Sequence, residues 1–218
     1  MILAGGQSRR MGSPKALLDF CGKALIEYPL SLLNEVCSEV FIVTKNPELY
    51  QRFRTKILTD LYKRAGPMGG ICTGLQHASN PWSIVLACDM PFVRKELLLK
   101  LLQQIKNELN LKAVIPIAPA KVGEELILQP LCALYSKNCL PFFHHRIMSN
   151  QISLFKSMRH PETKLLPWLE LDPEDQDSIS FININTTQEL EQVRTMGTVL
   201  TVAKQLSTLS PGDSHDID

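Results

Sequence analysis

The chain has 218 residues, 44% hydrophobic and 21% charged, which suits one domain with a real core and excludes global disorder. With 23 Lys+Arg against 22 Asp+Glu the formal net charge is +1, so the overall basic balance of many nucleic-acid binders is missing and any anion site must be local. No apolar run approaches the roughly 20 residues that cross a bilayer, and Met1-Ile2-Leu3-Ala4 is too short for a secretory signal, so neither a membrane nor a nucleic acid is expected as a partner.

In chain order, the apolar run Met1 to Ala4 ends in a glycine turn and reads as a first strand. Leu25 to Val36 has near-helical apolar spacing, with Pro29 suited to a first turn. Val40 to Thr44 is β-branched and aromatic, a strand pattern. Pro67 opens a helix that carries Met68, Ile71 and Leu75 along one face. Ser83 to Cys88 is a continuous apolar run stopped by Asp89, as expected of a strand covered on both faces. Val93, Leu97, Leu98, Leu101, Leu102, Ile105 and Leu109 make the clearest amphipathic helix, and Ala113 to Ile117 and Leu131 to Tyr135 add two strands. This alternation predicts an α/β layered sheet.

Lys137 to Glu170 has no clear period. Phe181-Ile182-Asn183-Ile184-Asn185 alternates like a strand, and Thr186 with Glu189 forms a capping box that opens a helix through Val193. The predicted organisation is one domain over residues 1–200, with 201–218 as a helix end and a loose tail rich in Ser, Pro, Gly and Asp. The six cysteines contain no CxxC pair, and reduced thiols in a cytoplasmic protein are expected.

Three features carry chemistry. Leu3-Ala4-Gly5-Gly6 leads through Arg9 and Arg10 to Gly12 and Lys15. Glycines let backbone N–H groups close on a ligand and cations neutralise it, so the loop reads as an anion site or, blandly, as a solvated basic turn. It matches neither G-x-x-x-x-G-K-[ST] nor G-x-G-x-x-G. Asp89, at a strand exit, suits Mg²⁺ or a helix N-cap equally. Asp60 precedes Gly66-Pro67-Met68-Gly69-Gly70, whose last two glycines would allow close approach of a base or ribose, or serve a surface turn. Asn46, Asn183 and Asn185 stand at strand ends, where turn and cap roles are common. His144-His145 supports neither a zinc site nor a Ser-His-Asp arrangement, and the acidic run Asp172 to Asp177 reads as a solvated loop.

Taken together, Leu3 to Lys15 resembles the signature L-A-G-G-x-S-x-R-M-G-x-x-K of the molybdenum cofactor guanylyltransferases. The resemblance continues through Asp60, Gly66-Pro67-x-Gly-Gly70-Ile71, Cys88-Asp89-Met90-Pro91-Phe92 and Phe181 to Thr186, in the family's order. It implies a Rossmann-like nucleotidyltransferase fold, with a mostly parallel central sheet and helices on both faces. It also implies transfer of GMP from GTP to molybdopterin-bound molybdenum cofactor with Mg²⁺, and cofactor-insertion proteins and acceptor molybdoenzymes as further partners. By the same resemblance, Leu3, Ala4, Gly5 and Gly6 line the guanine and phosphate site, Arg10 and Lys15 bind the triphosphate, Asn46 and Asp60 contact the nucleoside, and Asp89 holds the metal. Asn183 and Asn185, with Gln129-Pro130, fall on the molybdopterin side. Only Met1-Ile2 precede Leu3 where relatives carry several residues, so a short first strand is expected.

A CMP-transferring relative usually reads L-A-A-G, and Gly5 favours the guanine version by resemblance. A sugar-phosphate nucleotidyltransferase is a more distant option. Outside catalysis stands a silent GTP-binding module, against which Lys15 and Asp89 argue, since a passive binder has less use for a metal carboxylate.

Overall fold

The apolar run before Asp89 forms the middle of the sheet. In a computed structural model of the protein, residues 1–5, 14–62, 64–106, 110–119, 124–160, 162–186 and 188–191 are described. Ten strands and six α-helices are found among them: β1 (Ile2–Leu3), β2 (Asp19–Phe20), β3 (Lys23–Ala24), α1 (Glu27–Val36), β4 (Phe41–Thr44), β5 (Lys56–Thr59), α2 (Gly66–His77) and β6 (Trp82–Ala87) come first. They are followed by α3 (Lys95–Gln103), β7 (Ala113–Pro119), β8 (Leu126–Leu128), β9 (Cys132–Ser136), α4 (Leu140–Met148), α5 (Leu154–Ser157), β10 (Thr163–Pro167) and α6 (Trp168–Leu171).

The main sheet has the order β10-β7-β9-β6-β1-β4-β5, with β8 added to β7. β9 runs against β6 and β7, and β8 against β7, while the other six strands are mutually parallel. The expected mostly parallel α/β sheet is therefore present. β6 lies between two strands with helices above and below, so Val85 and Leu86 are both fully buried, facing opposite clusters. One cluster takes Leu33 of α1 and Leu97, Leu98 and Leu101 of α3; the other takes Met68, Ile71 and Leu75 of α2 and Phe143 of α4. Among the described residues, no helix is long and apolar enough to cross a membrane.

Pro29 sits in the first turn of α1, where it removes no helical hydrogen bond. The first strand is two residues long, as expected. Cys21 and Gly22, with φ of 51° and 82°, make the tight turn of the β2–β3 hairpin, the backbone such a connection requires.

Two expectations are overturned. Phe181 to Asn185 is not a strand: Ile179–Phe181 is a short 3₁₀ turn and the chain then runs without sheet pairing. β6 already has β1 and β9 on its two sides, so the Ile184 N–H bonds instead to the Asp89 carbonyl (3.1 Å). The acidic stretch is only partly a solvated loop, because Glu174 and Asp177 are exposed while Asp172 and Asp175 are 2% and 3% exposed. Arg94 Nε lies 2.9 Å from Asp172, while the Asp175 carboxylate accepts from the N–H groups of Ile179 (2.7 Å) and Ser180 (3.0 Å). The predicted end of the long helix at Leu109, the helix beyond 191, and the tail lie outside the described residues.

Candidate active site

Parallel strands end on the same side of a sheet, and the four neighbours β6, β1, β4 and β5 bring most of the candidate residues to that edge. Leaving β6, Cys88 donates its N–H to the Leu3 carbonyl (3.2 Å), which ties the turn carrying Asp89 to the turn after β1. The Ile184 N–H holds the Asp89 carbonyl from the other side. The backbone around Asp89 is thus held from both sides.

Lys15 opens a 3₁₀ turn over Lys15–Leu17, steadied by the Ile26 N–H on the Ala16 carbonyl (3.0 Å). Its ammonium pairs with Asp89 Oδ2 and donates to Asn185 Oδ1 (2.8 Å). Lys15 and Asp89 side chains are 16% and 17% exposed, so the pair is partly shielded from solvent. Asp89 Oδ1 is buried with no hydrogen-bond partner among the described residues. Asn185 reaches this point because the capping box sets its backbone. The Asn185 and Thr186 N–H groups donate to Glu189 Oε2 (2.6 and 3.1 Å), and the Glu189 N–H donates to Thr186 Oγ1 (3.0 Å).

The other candidates gather around Thr44. The Ala4 N–H donates to the Val43 carbonyl (2.9 Å), and the Ala4 carbonyl accepts from Thr44 Oγ1 (3.1 Å) and the Tyr50 hydroxyl (3.3 Å). Leu3 is half-buried at the same edge, and among the described residues Gly5 leaves open space where a side chain would stand. Asn46, exposed, donates its backbone N–H to Thr44 Oγ1 (3.2 Å). Asp60 donates its N–H to the Thr44 carbonyl (2.7 Å), and its Oδ1 accepts from the Tyr62 N–H (2.9 Å) and Thr73 Oγ1 (3.4 Å).

Lys15, Asp89 and Asn185 are therefore brought together, while Ala4, Gly5, Asn46 and Asp60 form an adjoining group. The amide of Asn183 donates to the Phe181 carbonyl (3.2 Å). Gln129 is buried and its amide nitrogen donates to the Ala118 carbonyl (3.3 Å), an internal bond to β7. Gly6 and Arg10 lie outside the described residues.

Gly69 and Gly70 are both buried, and they differ: a Cβ at Gly69 would meet the Tyr62 backbone and Cβ, so that glycine lets α2 close on the protein, while at Gly70 it would come close only to the tip of Leu3. Sequence reasoning missed Thr44 and Tyr50. Thr44 ends a β-branched run and looks like any strand residue; only its burial, at 1% exposure, marks its hydroxyl as engaged.

Burial decides the nearby protonation states. The Cys88 thiol is pushed far up by burial, so it stays protonated and is no nucleophile. Tyr50 is pushed up to about 12 for the same reason and remains a donor. Among the described residues, no group of three His, Cys, Asp or Glu is arranged to hold a metal alone. A single carboxylate working with ligand oxygens is the available arrangement.

The family model of the MobA-like NTP transferase domain matches residues 1–158. A protein of Clostridium perfringens named "Probable molybdenum cofactor guanylyltransferase" is 35% identical over 196 residues, spanning 88% of this chain and 93% of its own. The crystal structure of molybdopterin-guanine dinucleotide biosynthesis protein A from Archaeoglobus fulgidus superimposes with a TM-score of 0.74 at 27% identity, covering 91% and 97% of the two chains. The 2-C-methyl-D-erythritol 4-phosphate cytidylyltransferase of Thermus thermophilus shares the fold alone, with a TM-score of 0.62 at 16% identity over 90% and 97%. With a family match over most of its length and candidate residues gathered at one edge of a mostly parallel sheet, the chain belongs to the MobA-like NTP transferases and is a nucleotidyltransferase.

Proposed function

We propose that this chain transfers GMP from GTP to the terminal phosphate of molybdopterin carrying molybdenum, releasing pyrophosphate. The observation that carries the reading is the meeting of Lys15, Asp89 and Asn185, three residues distant in sequence, beside the open turn at Gly5. The names of the relatives support the guanine nucleotide and the pterin acceptor.

Mg²⁺ fits the residues present. Asp89 offers a hard oxygen donor, and its buried Oδ1 has no partner among the described residues, a costly state that a cation would relieve. When bound, Mg²⁺ supplies charge neutralisation on the phosphates. Lys15 adds an ammonium on the same side, and on its long stem it can pass from the carboxylate to phosphate oxygens as the nucleotide enters. Arg10 contributes a second cation in this reading, Leu3 to Gly6 line the base and phosphates, and Asn46 and Asp60 meet the nucleoside. Asn183 and Asn185 lie toward the acceptor. An oxygen of the acceptor phosphate attacks the α-phosphorus in line; that P–O bond forms as the bond to the β-phosphate bridge breaks, and pyrophosphate departs. The chain's part is to orient the two phosphates and offset their charge, with no covalent enzyme intermediate.

The test is direct. Purified protein with GTP, Mg²⁺ and molybdate-loaded molybdopterin should form the guanine dinucleotide and pyrophosphate in equal amounts, and CTP should not replace GTP. Binding of GTP without pyrophosphate release would leave a nucleotide-binding module instead.

A further inference from the structure

Thr44 does more than end a strand. Its buried hydroxyl donates to the Ala4 carbonyl (3.1 Å) and accepts the Asn46 N–H (3.2 Å), linking the exits of β1 and β4. The Tyr50 hydroxyl approaches the same carbonyl from the interior at 3.3 Å. The Ala4 carbonyl and the Gly5 N–H belong to one peptide unit, and in a planar trans peptide they point in opposite directions. The Ala4 N–H and carbonyl both face β4, so holding that oxygen turns the Gly5 N–H to the other side of β1, toward the exit of β6 where Lys15 and Asp89 meet. A peptide that precedes glycine is otherwise easily flipped, because glycine accepts either sign of φ, and among the described residues, chain neighbours aside, no atom stands within 4 Å of where a Gly5 Cβ would be.

We propose that Thr44, assisted by Tyr50, is a positioning residue that locks the Ala4–Gly5 peptide with its N–H presented as a fixed donor to the nucleoside triphosphate. The inference rests on the nucleotide reading given above and adds the element that makes the glycine turn a preorganised anion cradle. A donor already aimed costs the ligand no reordering of the chain. Its contribution is to nucleotide binding rather than to the chemical step, since Lys15 and Asp89 meet at the neighbouring exit of β6 and share no hydrogen bond with Thr44 among the described contacts.

Thr44→Val keeps the shape and the β-branching and removes only the hydroxyl; Thr44→Ser keeps the hydroxyl. Binding of GTP with Mg²⁺ is followed by titration calorimetry without acceptor, and KM and kcat by pyrophosphate release. Thr44→Val should raise both Kd and KM for GTP about tenfold with kcat within about twofold of wild type. Thr44→Ser should restore binding to within about twofold, and Tyr50→Phe, which loses one of the two donors, should weaken it about threefold. A folded Thr44→Val protein with unchanged Kd, or a Thr44→Ser protein as weak as Thr44→Val, overturns the proposal. Should Thr44→Val fail to fold, unchanged binding by Tyr50→Phe overturns it. Wild-type protein that binds no GTP is a different result, and it removes the nucleotide reading itself.

Discussion

Gly69 and Gly70 are adjacent in α2, yet an added methyl group meets different neighbours at the two positions. At Gly69 a Cβ would lie 2.7 Å from Tyr62 Cβ, 2.9 Å from the Tyr62 carbonyl oxygen and 3.0 Å from Ala65 Cβ. None of these is the free end of a flexible side chain, so the start of α2 or the turn before it must move. Overpacking of this kind costs about 1–3 kcal/mol, against a gain of about 0.5–1 kcal/mol from replacing a helical glycine by alanine. Gly69→Ala should therefore lose about 1–2 kcal/mol. At Gly70 the nearest atom is Leu3 Cδ2 at 3.2 Å, the tip of a half-buried side chain that can give by a few tenths of an ångström. Gly70→Ala should be neutral or slightly stabilising. Urea unfolding followed by circular dichroism, with equal slopes for both variants, measures the difference through the midpoints. The clash also pushes on Tyr62, whose N–H holds Asp60 Oδ1 at 2.9 Å, so Gly69→Ala should weaken nucleotide binding as well. A Gly69→Ala midpoint equal to or above that of Gly70→Ala would refute the close-packing account.

Lys15→Ala and Asp89→Ala should keep the fold, since both side chains are partly exposed at the sheet edge, yet cut GMP transfer by about 100-fold or more; near-normal rates in both variants would contradict their assigned roles. Arg94→Ala removes the cation beside buried Asp172 and should cost about 1–3 kcal/mol in unfolding experiments, below the full value for a buried pair because Arg94 is 32% exposed. Asp175→Ala strips the acceptor from two backbone N–H groups and should cost about 2 kcal/mol, with a matching loss of order in the segment leading to Asn185. Thiol titration should find Cys21 reactive in the native protein, while Cys72, Cys132 and Cys139, each pushed up to about 12 by burial, and Cys88, pushed higher, react only after denaturation. At pH 8 a thiol with such a pKa is only about one part in 10⁴ thiolate.

The elements that were legible in the sequence are those whose burial is one-sided or complete over many residues. β6 and α3 belong to that group, because an unbroken apolar run and a long 3.6-residue stripe each admit few alternatives. β5 was missed because Lys56-Ile57-Leu58-Thr59 is short and sits at the sheet edge with only Leu58 buried and both ends exposed. Phe181 to Asn185 was misread for the opposite reason. The polar-apolar alternation of its sequence is not matched by its burial, since Phe181 and Ile184, three positions apart, are the fully buried pair, and sequence periodicity says nothing about whether a free strand edge exists to pair with. The acidic run misled because charge in a sequence looks solvated until its partner is known, and Arg94 lies 78 residues away from Asp172 (172 − 94). Motif residues at strand exits were legible as candidates because polar groups after apolar runs have few structural duties. Thr44 was not, since its duty depends on where the Ala4 carbonyl points.

The two halves of the site differ in how they are assembled. Ala4, Asn46 and Asp60 are joined through Thr44 by hydrogen bonds among three adjacent parallel strands, so that half is complete once β1, β4 and β5 have paired. The Lys15–Asp89 pair gains Asn185 only when the segment after residue 178 lies across the exit of β6, a contact spanning 170 positions. That segment has no sheet pairing of its own; it is held by Asp175, by the Ile184–Asp89 backbone bond and by the apolar contacts of Ile184 and Leu190 with Phe20 and Leu25. Few local contacts hold such a segment, so its opening should be less costly than opening of the strands. Hydrogen exchange at Ile184 should accordingly be faster than at Leu86, and bound GTP with Mg²⁺ should slow it selectively if Asn185 and Lys15 close around the phosphates. Equal protection at both amides in the free protein would show that the segment carrying Asn185 is as rigid as the strands, and would remove the basis for treating the two halves separately.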